Sequence, residues 1–532
     1  MKLRIQNFRS LKNTGYIDIK PLTILVGKNS SGKSSFLRHF PMLKQSFQEN
    51  TRTPLLLYGK YVDFGTTFKD IKPKFLKETD ETFYSIGLSF SLYDLLLNMS
   101  RRGIVRIYSR RIIRELLKKN NDELGREDIK FEVFFIENKK QFIELDHFYL
   151  EFLNFKIKIF LKKGKVEKIV FNNEELKEFS GKFNYDDFGK LLPEFYIDED
   201  KDFSNIFFNK LRIGRYLYHF LVNFLSDFAH SNTSLDNLES IIEDINLFNI
   251  KETLINSVEN RKLNTLKEKF NNNISILNNL EKYYVMFFVF EILLPNLSYY
   301  IELLFKNVSY IAPLRATAER YYRIQSLAVN EVDPYGKNLP FFLGSLTETQ
   351  LNRFQEWTEK NFNFKVDISR SEGHYSIKII QENKDINLAD MGFGYSQILP
   401  ILVQIWYSSS GFEFKKYNIH EKIKEKIIVI EQPELHLHPE FQAKFAEALV
   451  KTIKFSKNLN LKIIVETHSD AFINRIGDCV LFEKISPDDV NVIIFDKKEN
   501  GVTDIRTSFF DEEGYLKNWP VGFFTPKMTR CE

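Results

Sequence analysis

Short apolar runs near both ends of the chain predict strands that are buried on both faces. Leu3, Ile5 and Phe8 are spaced as in a strand, and a short apolar run follows at 21–26. Near the other end, further apolar runs lie at 426–430, 461–465 and 492–495, the first two separated by an amphipathic helical pattern. Because continuous apolar runs are typical of parallel strands covered by helices, these segments predict an α/β sheet.

The middle of the chain has a different pattern. Residues 129–173 hold strand-like runs broken by Lys, Asn and Gly turns, which predicts an antiparallel sheet. Residues 205–305 are mainly helical in pattern, and 233–282 within them predict a short helical hairpin without sustained heptads. The predicted fold class is therefore α/β, with one core built from both chain ends around a large α+β and helical insertion.

Composition limits the kinds of partner and the cellular compartment that we expect for the protein. The 75 Lys+Arg and 71 Asp+Glu give a net charge of +4 over 532 residues, which argues against a globally basic nucleic-acid binder but allows a local patch. Cys479 and Cys531 are too few for a disulfide framework or a cysteine-rich zinc site. Since the first residues also lack a signal-peptide core, we expect a cytoplasmic protein.

One apolar stretch, from Tyr283 to Phe305, is long enough to span a bilayer. Charged residues near a helix centre are costly in lipid, so we expect buried helices and no membrane segment. The polar or helix-breaking residues that argue for this are Glu291, Pro295, Asn296 and Glu302.

Residues 27–35 carry a phosphate-binding motif between a predicted strand and a predicted helix. The sequence matches GxxxxGK[ST] at every fixed position. Its glycines let backbone N–H groups cradle the β-phosphate of ATP, Lys33 is expected to reach the β- and γ-phosphates, and Ser34 to ligate Mg²⁺. The predicted cofactors are ATP and Mg²⁺, and the predicted binding residues here are Gly27, Asn29, Ser30, Ser31, Gly32, Lys33, Ser34 and Ser35.

An acid at the end of a distant strand supplies the other half of this site. The apolar run 427–430 leads into Glu431, which we expect to support Mg²⁺. Most of the chain separates Glu431 from the phosphate loop, so both chain ends must build one nucleotide core. We therefore divide the chain into the first part of an ATPase core at 1–75, an insertion facing partners or other copies at 76–304, and the second part of the core at 305–532.

Two more loops follow the same order. Residues 387–400 contain a Gly/Ser loop that opens a helix, which is a further anion-site candidate, and His468 follows the apolar run 461–465. Alone, the loop is as typical of a tight turn as of an anion site, and a lone histidine is more often structural. Together with the phosphate loop and Glu431 they resemble ABC-type ATPases of the SMC, RecF and OLD group, through LRIQNFRSLKN, GKNSSGKSS, DMGFGYSQILP, VIEQPELHLHP and VETHSD.

A closer resemblance lies in residues 59–65, 310–322 and 519–524, which are similar to bacterial AAA-family ATPases with a DUF3696-type C-terminal region. Relatives of this kind include ATPase subunits of Septu-type and retron-associated antiphage systems, several of which act beside an HNH-type nuclease. The resemblance covers roughly 1–75 and 305–525, and it leaves 76–300 without a counterpart.

The resemblance implies a role for each matching residue. Glu431 takes the place of a strand-terminal Asp, and His468 that of a histidine that senses the γ-phosphate. The signature loop would contact ATP held by a second copy, so that a homodimer or higher homo-oligomer completes the site; its residues are Gly392, Gly394, Ser396 and Gln397. His436 and His438 would lie at this subunit contact, and we do not expect them to bind zinc.

One position departs from the group. Gln432 stands where the group usually has a Glu that polarises water, and an amide can orient water but cannot accept a proton as a carboxylate does. Either Glu434 or Glu431 takes over this role, or hydrolysis is slow and ATP mainly locks an assembled state. We expect slow, gated hydrolysis, with Glu431, Gln432, Glu434 and His468 as the catalytic candidates.

A second chemistry is not evident in the sequence. The segment after His468 is too short for the Toprim nuclease domain of OLD-type relatives, and no HNH cluster or Ser/His/Asp set is apparent, so no built-in nuclease is expected. Arg106, Arg110 and Arg114 have helical spacing and are the best candidates for a nucleic-acid contact, although a solvated helix face explains them equally simply.

The sequence and its resemblance together predict an ABC-type ATPase that dimerises around ATP and regulates a separate effector in bacterial antiphage defence. We expect this effector to be an HNH-type nuclease. The alternative is an SMC- or RecF-like DNA-binding ATPase of DNA repair or maintenance, and a third reading is a scaffold with a degenerate site. A neighbouring nuclease gene would favour the first, DNA-stimulated hydrolysis the second, and loss of ATP binding the third.

Overall fold

The computed structural model contains three β-sheets in the part of the chain that it describes. The described residues are 1–75, 82–100, 113, 117, 127–186, 191–198, 210–325, 329, 331–382, 384–411, 425–456 and 459–519.

A seven-stranded sheet joins the two ends of the chain. Its strands, in spatial order, are Val308–Ile311, Lys426–Glu431, Leu461–Glu466, Leu22–Gly27, Val490–Lys497, Thr503–Phe510 and Leu516–Lys517. The first five run parallel to their neighbours, and the last two pair antiparallel. The N-terminal strand Leu22–Gly27 thus lies between two C-terminal strands, which confirms the predicted α/β core built from both chain ends.

Helices cover both faces of this sheet, which explains why its strands are continuously apolar. In the strand Lys426–Glu431, Ile427 and Val429 belong to one buried cluster, whereas Ile428 and Ile430 belong to the other. Successive side chains of a strand point to opposite faces, so a strand covered on both sides must be apolar throughout. The helices nearest the site are Lys33–Leu37, His39–Gln48, Phe393–Ser409, Pro439–Phe455 and Asp470–Leu481.

A twelve-stranded antiparallel sheet combines three N-terminal strands with nine strands of the predicted insertion, and it confirms the antiparallel prediction for 129–173. Its strands are Lys2–Phe8, Leu11–Asn13, Ile17–Asp18, Tyr84–Ser91, Asp128–Glu137, Ile143–Phe152, Phe155–Lys162, Lys165–Phe171, Glu174–Glu175, Asn184–Asp186, Glu194–Asp198 and Lys210–Arg212. Lys2–Phe8 pairs directly with Tyr84–Ser91. The sheet therefore runs across the predicted boundary at 75/76, and that division remains a prediction.

The helical part of the insertion begins at Ile213. The predicted hairpin over 233–282 is wrong in detail, because several short helices replace it and Asn273 caps the start of the next one through Ser275 N. The helices are Ile213–Ser226, Leu235–Asp244, Ile250–Asn260, Asn264–Asn272 and Ile274–Phe287, which continues through the π-helix Phe288–Leu293 into Leu294–Lys306.

The apolar stretch that could match a bilayer lies in the last of these helices. In the described part of the chain, one helix, Ile274–Lys306, is long and apolar enough to cross a membrane by length and composition, and 72% of its apolar window is buried inside the protein. This burial agrees with the prediction of core helices.

A small four-stranded sheet leads the chain into the signature segment. Its strands are Tyr322–Arg323, Lys365–Ser371, His374–Gln381 and Lys384–Asn387. Asn387 accepts a hydrogen bond from Ala389 N and so starts a short 3₁₀ turn, after which Gly392 precedes the long helix. Elsewhere in the described residues lie the helices Phe68–Ile71, Leu92–Ser100, Leu339–Gly344 and Glu348–Phe362, and the 3₁₀ turns Leu388–Asp390 and Pro487–Asp489.

Candidate active site

Two glycines, one at each end of the phosphate loop, have backbone conformations that another residue would adopt only with strain. Gly27 has φ +156°, and a Cβ there would lie 2.4 Å from the Phe495 carbonyl oxygen. Gly32 has φ +99°, and a Cβ there would lie 2.8 Å from Ser10 Oγ. The loop is therefore compressed against the neighbouring strand and the first turn of the chain. Residues 29–35 of the loop line a cavity, and successive backbone amides in a loop of this kind can bind phosphate.

Lys33 begins the helix Lys33–Leu37 and is almost fully buried. Its ammonium donates hydrogen bonds to the carbonyl oxygens of Gly27 and Lys28, both at 2.9 Å, and lies 3.8 Å from the Glu466 carboxylate. Burial lowers the pKa of Lys33, while Glu466 acts in the opposite direction. The side chain is thus held at the mouth of the loop, where it can meet the phosphates of a nucleotide.

Glu466 is the carboxylate that faces the phosphate loop. It ends the strand Leu461–Glu466, which pairs with the phosphate-loop strand in parallel register. Its two oxygens accept hydrogen bonds from Ser34 Oγ at 3.0 and 2.8 Å. Burial, and then the charge of Glu431, raise the pKa of Glu466 to about 7. Glu466 lies in the segment VETHSD, in which only His468 was predicted to act.

The carboxylate of Glu431, which was predicted to support Mg²⁺, instead accepts hydrogen bonds from two other side chains. It accepts hydrogen bonds from Arg38 Nε at 2.7 Å and Arg38 Nη2 at 2.8 Å, which is a bidentate ion pair. The Tyr310 hydroxyl donates to the same carboxylate at 2.7 Å. The ion pair with Glu431 raises the pKa of Arg38. The buried Glu431 carboxylate therefore ends its strand in an ion pair with a half-buried arginine. It is not among the residues that line the cavity beside Ser34.

The remaining catalytic candidates gather beyond the ends of the same two strands. Gln432 has φ +43°, and its backbone N–H donates to the Glu466 carbonyl oxygen at 2.8 Å. Glu434 accepts hydrogen bonds from Thr467 Oγ1 at 2.9 Å and His468 N at 2.7 Å, and burial raises its pKa. Burial and the charge of Lys33 lower the pKa of His468, which favours its neutral form.

The signature segment packs closely on the loop that follows Glu431. A Cβ on Gly394 would lie 2.8 Å from the His436 carbonyl oxygen, and the Phe393 and His436 rings are 4.6 Å apart. Gly392 and Phe393 are exposed, whereas Ser396 is buried and donates to the Phe393 carbonyl oxygen. The exposed start of the helix is thus the part that a second copy can reach.

Gln397 faces the interior of the protein, where it binds the main chain of Arg315. Gln397 Oε1 accepts from Arg315 N at 3.1 Å, and Gln397 Nε2 donates to the Arg315 carbonyl oxygen at 3.0 Å. The Arg315 guanidinium donates to the Glu431 carbonyl oxygen at 2.7 Å. A buried arginine thus links the signature helix to the end of the Glu431 strand, and neither the sequence motif nor its spacing pointed to it.

The phosphate loop, Gln432 and Glu466 line one cavity of about 760 Å³. Basic side chains from several segments also line it, and none of them was predicted as a site residue: Arg9, Lys69, Lys72, Lys74 and Lys497. A cradle of backbone amides, a lysine, a hydroxyl and a carboxylate form the donor set that ATP with Mg²⁺ requires. The residues present therefore fit this ligand pair.

Other predicted residues lie apart from this cavity or outside the described chain. Arg106, Arg110 and Arg114 lie outside the described residues. His438 caps the helix Pro439–Phe455 by accepting from Glu440 N. Among the residues that the structure describes, no group of three or more His, Cys, Asp and Glu side chains is arranged to hold a metal ion.

Comparison with known proteins gives one extensive match and several distant ones. The family model of the AAA ATPase domain (AAA_15) matches residues 1–473. The endonuclease GajA of Bacillus cereus (strain HuB5-5) is 28% identical over 100 residues, which is 18% of this chain and 14% of that protein. The chain therefore aligns with a small fraction of this curated relative.

Solved structures that match this chain at low TM-scores include two SMC heads and a RecF protein. The SMC head bound to the C-terminal winged-helix domain of ScpA has 9% identity and a TM-score of 0.33, and the SMC head of Thermotoga maritima has 10% and 0.31. The recombination mediator protein RecF-ATPrS has 12% identity and a TM-score of 0.26. Each alignment covers 95% of this chain and 97% of the other.

Proposed function

Because the chain belongs to the AAA ATPase domain family, we propose that it binds ATP with Mg²⁺, hydrolyses it slowly, and uses ATP-driven pairing of two copies to control a separate effector. The observation that carries this proposal is the convergence of Lys33, Ser34 and Glu466 at one cavity. These residues come from opposite ends of the chain, so the cavity exists only in the folded core.

Slow hydrolysis follows from how the acidic residues are held. The Glu431 carboxylate is bound by Arg38 and Tyr310, and that of Glu434 by Thr467 and the backbone of His468. Gln432 lines the cavity but carries no proton-accepting group. General-base catalysis contributes about 10²–10⁴-fold in enzymes that have a positioned base, so the engagement of Glu431 and Glu434 and the amide at Gln432 support a long-lived ATP state.

Pairing of two copies is supported by the surface around the signature helix. Phe393 is 44% exposed at its start, and Leu314 on the adjoining loop is 70% exposed. Arg315, next to Leu314, connects this surface to Glu431 and Gln432. Analytical ultracentrifugation with a non-hydrolysable ATP analogue should give a dimer, and a monomer with or without the analogue would overturn this part.

We propose that the effector is a separate protein, a nuclease of the HNH type, and that the two proteins act in antiphage defence. The described residues after His468 complete the ATPase sheet, since Val490–Lys497 pairs with Leu22–Gly27 and Thr503–Phe510 follows it. These residues are therefore part of the ATPase core and do not form a separate nuclease domain. The named relative is an endonuclease, but the matched part of it is short.

A plaque assay in cells that carry the gene with its native neighbours tests this role. The intact locus should reduce plaque number, and Lys33→Ala should remove the protection, whereas Lys12→Ala, an exposed lysine outside the cavity, should preserve it. The isolated complex should contain a nuclease whose cleavage depends on Lys33. Protection by the Lys33→Ala locus, or hydrolysis that DNA stimulates without any effector, would favour a DNA-maintenance role instead.

A further inference from the structure

The strand order of the central sheet places one glutamate, Glu466, between the phosphate loop and Glu431. The strand Leu461–Glu466 pairs with Leu22–Gly27 on one side and with Lys426–Glu431 on the other. Glu466 stands opposite Glu431 in this register, one strand closer to the phosphate loop. As a result, Ser34 Oγ donates to both oxygens of Glu466 at 2.8 and 3.0 Å.

The charges around the two glutamates are compensated differently. Arg38 binds both oxygens of Glu431 in a buried ion pair, and Tyr310 adds a third hydrogen bond. A cation at Glu431 would have to compete with the Arg38 guanidinium for a carboxylate that already accepts three hydrogen bonds. Glu466 instead has Lys33 at 3.8 Å, and a nucleotide phosphate would draw that ammonium away.

We infer that Glu466, together with Ser34, is the carboxylate that supports the divalent cation of the nucleotide, and that Glu431 is a positioning residue that holds Arg38. This inference rests on the proposed binding of ATP with Mg²⁺ and names the residue responsible. Mg²⁺ prefers one or two carboxylates beside phosphate oxygens and water, and Ser34 and Glu466 both line the cavity that would hold them. Glu431 is not among the residues that line it.

The test compares Glu466→Gln with Glu431→Gln, using Mn²⁺ as the probe. Each change removes one negative charge and keeps the size of the side chain. Electron paramagnetic resonance reports bound Mn²⁺ in the presence of a non-hydrolysable ATP analogue, and a fluorescent ATP analogue in EDTA reports nucleotide affinity without metal. Ser34→Ala serves as the control for loss of a cation ligand.

Glu466→Gln should weaken Mn²⁺ binding at least tenfold, as Ser34→Ala does, and leave nucleotide affinity in EDTA within about twofold of the wild type. Glu431→Gln should keep Mn²⁺ affinity within about twofold while lowering thermal stability. If Glu466→Gln does not fold, Glu466→Asp, which keeps the charge at a shorter reach, should show an intermediate loss.

The opposite pattern, with Mn²⁺ lost in Glu431→Gln and kept in Glu466→Gln, would overturn the inference. So would a Glu466→Gln protein that binds Mn²⁺ normally but has lost hydrolysis, because Glu466 would then act as a base. Failure of the wild type to bind the analogue with or without metal would overturn the proposed function itself. The two failures are therefore distinguishable.

Discussion

The side chain of Gln397 and the main chain of Arg315 exchange two hydrogen bonds, at 3.1 and 3.0 Å, between segments that are 82 residues apart. Both groups are buried, and the Arg315 guanidinium continues the connection to the Glu431 and Gln432 carbonyl oxygens. A shift of the signature helix would therefore move Arg315 and, through it, the backbone at the end of the Glu431 strand.

Gln397→Leu should separate this connection from nucleotide binding. The change leaves a buried N–H and a buried C=O of Arg315 without partners, which should lower the free energy of unfolding by about 2 kcal/mol or more. Urea unfolding measures this loss, and exposed Gln325→Ala is the control. We expect nucleotide affinity to persist while ATP-dependent pairing weakens; unchanged stability and pairing would contradict the role of this contact.

Lys33→Ala should remove nucleotide binding without unfolding the protein. The ammonium is the buried cation at the mouth of the phosphate loop, so its loss deletes the main charge complement of the phosphates. Binding of a fluorescent ATP analogue should fall by at least tenfold. Lys12→Ala should bind as the wild type does, and equal loss in both variants would show that the effect is not specific to the loop.

Gln432→Glu should speed up hydrolysis. The wild type is expected to bind ATP with Mg²⁺ but to turn over more slowly than about 10 s⁻¹, which is near the median of enzymes. Since Gln432 lines the cavity, a carboxylate there supplies the missing proton acceptor and should raise kcat at least tenfold. Phosphate release in steady state measures both proteins. A wild-type rate above that bound, or an unchanged rate in the variant, would refute gated hydrolysis.

Arg38→Met should be strongly destabilising because it strands the buried Glu431 carboxylate. Breaking one side of a buried ion pair costs about 3–5 kcal/mol. The double variant Arg38→Met with Glu431→Leu should recover part of this loss, since no uncompensated charge remains. Arg475→Met, which breaks a surface pair with Asp478, should cost less than about 1 kcal/mol. Equal effects at Arg38 and Arg475 would contradict the buried pair.

His39 should make the protein less stable in mild acid. The ring is fully buried against Phe8, Phe64 and Tyr84, and burial lowers its pKa to about 4. The unfolded chain, with an ordinary histidine pKa near 6.5, binds the proton more readily, so stability is lost as pH falls from 6.5 to 4. The loss should reach about 3 kcal/mol by pH 4.

Urea unfolding at several pH values measures this dependence. His39→Gln should be less stable at pH 7 but should show a flatter decline between pH 6.5 and 4. His374→Gln, at an exposed position, should keep the wild-type slope. An identical slope in His39→Gln would assign the acid sensitivity to other groups.

Several features were predictable because contiguous residues determine them. The phosphate loop is a local backbone geometry that Gly27 and Gly32 make possible, and their spacing is visible in the sequence. Continuous apolar runs predicted the strands Lys426–Glu431, Leu461–Glu466 and Val490–Lys497, because strands covered on both faces leave no polar position. The prediction of a hairpin over 233–282 was wrong because polar capping residues such as Asn273 divide this segment into several helices. The spacing of the apolar residues does not show where these caps lie.

The sequence by itself thus determined which segments form the nucleotide core and which residues start its chemistry. The tertiary structure decided which acid meets Ser34, because that depends on the strand Leu461–Glu466 lying between two others, and strand order is set by packing over the whole sheet. It also decided that Glu431 is held by Arg38, and that Arg315 joins the signature helix to this strand. Such contacts join residues that are 82 to 432 positions apart, and local sequence patterns do not reveal them.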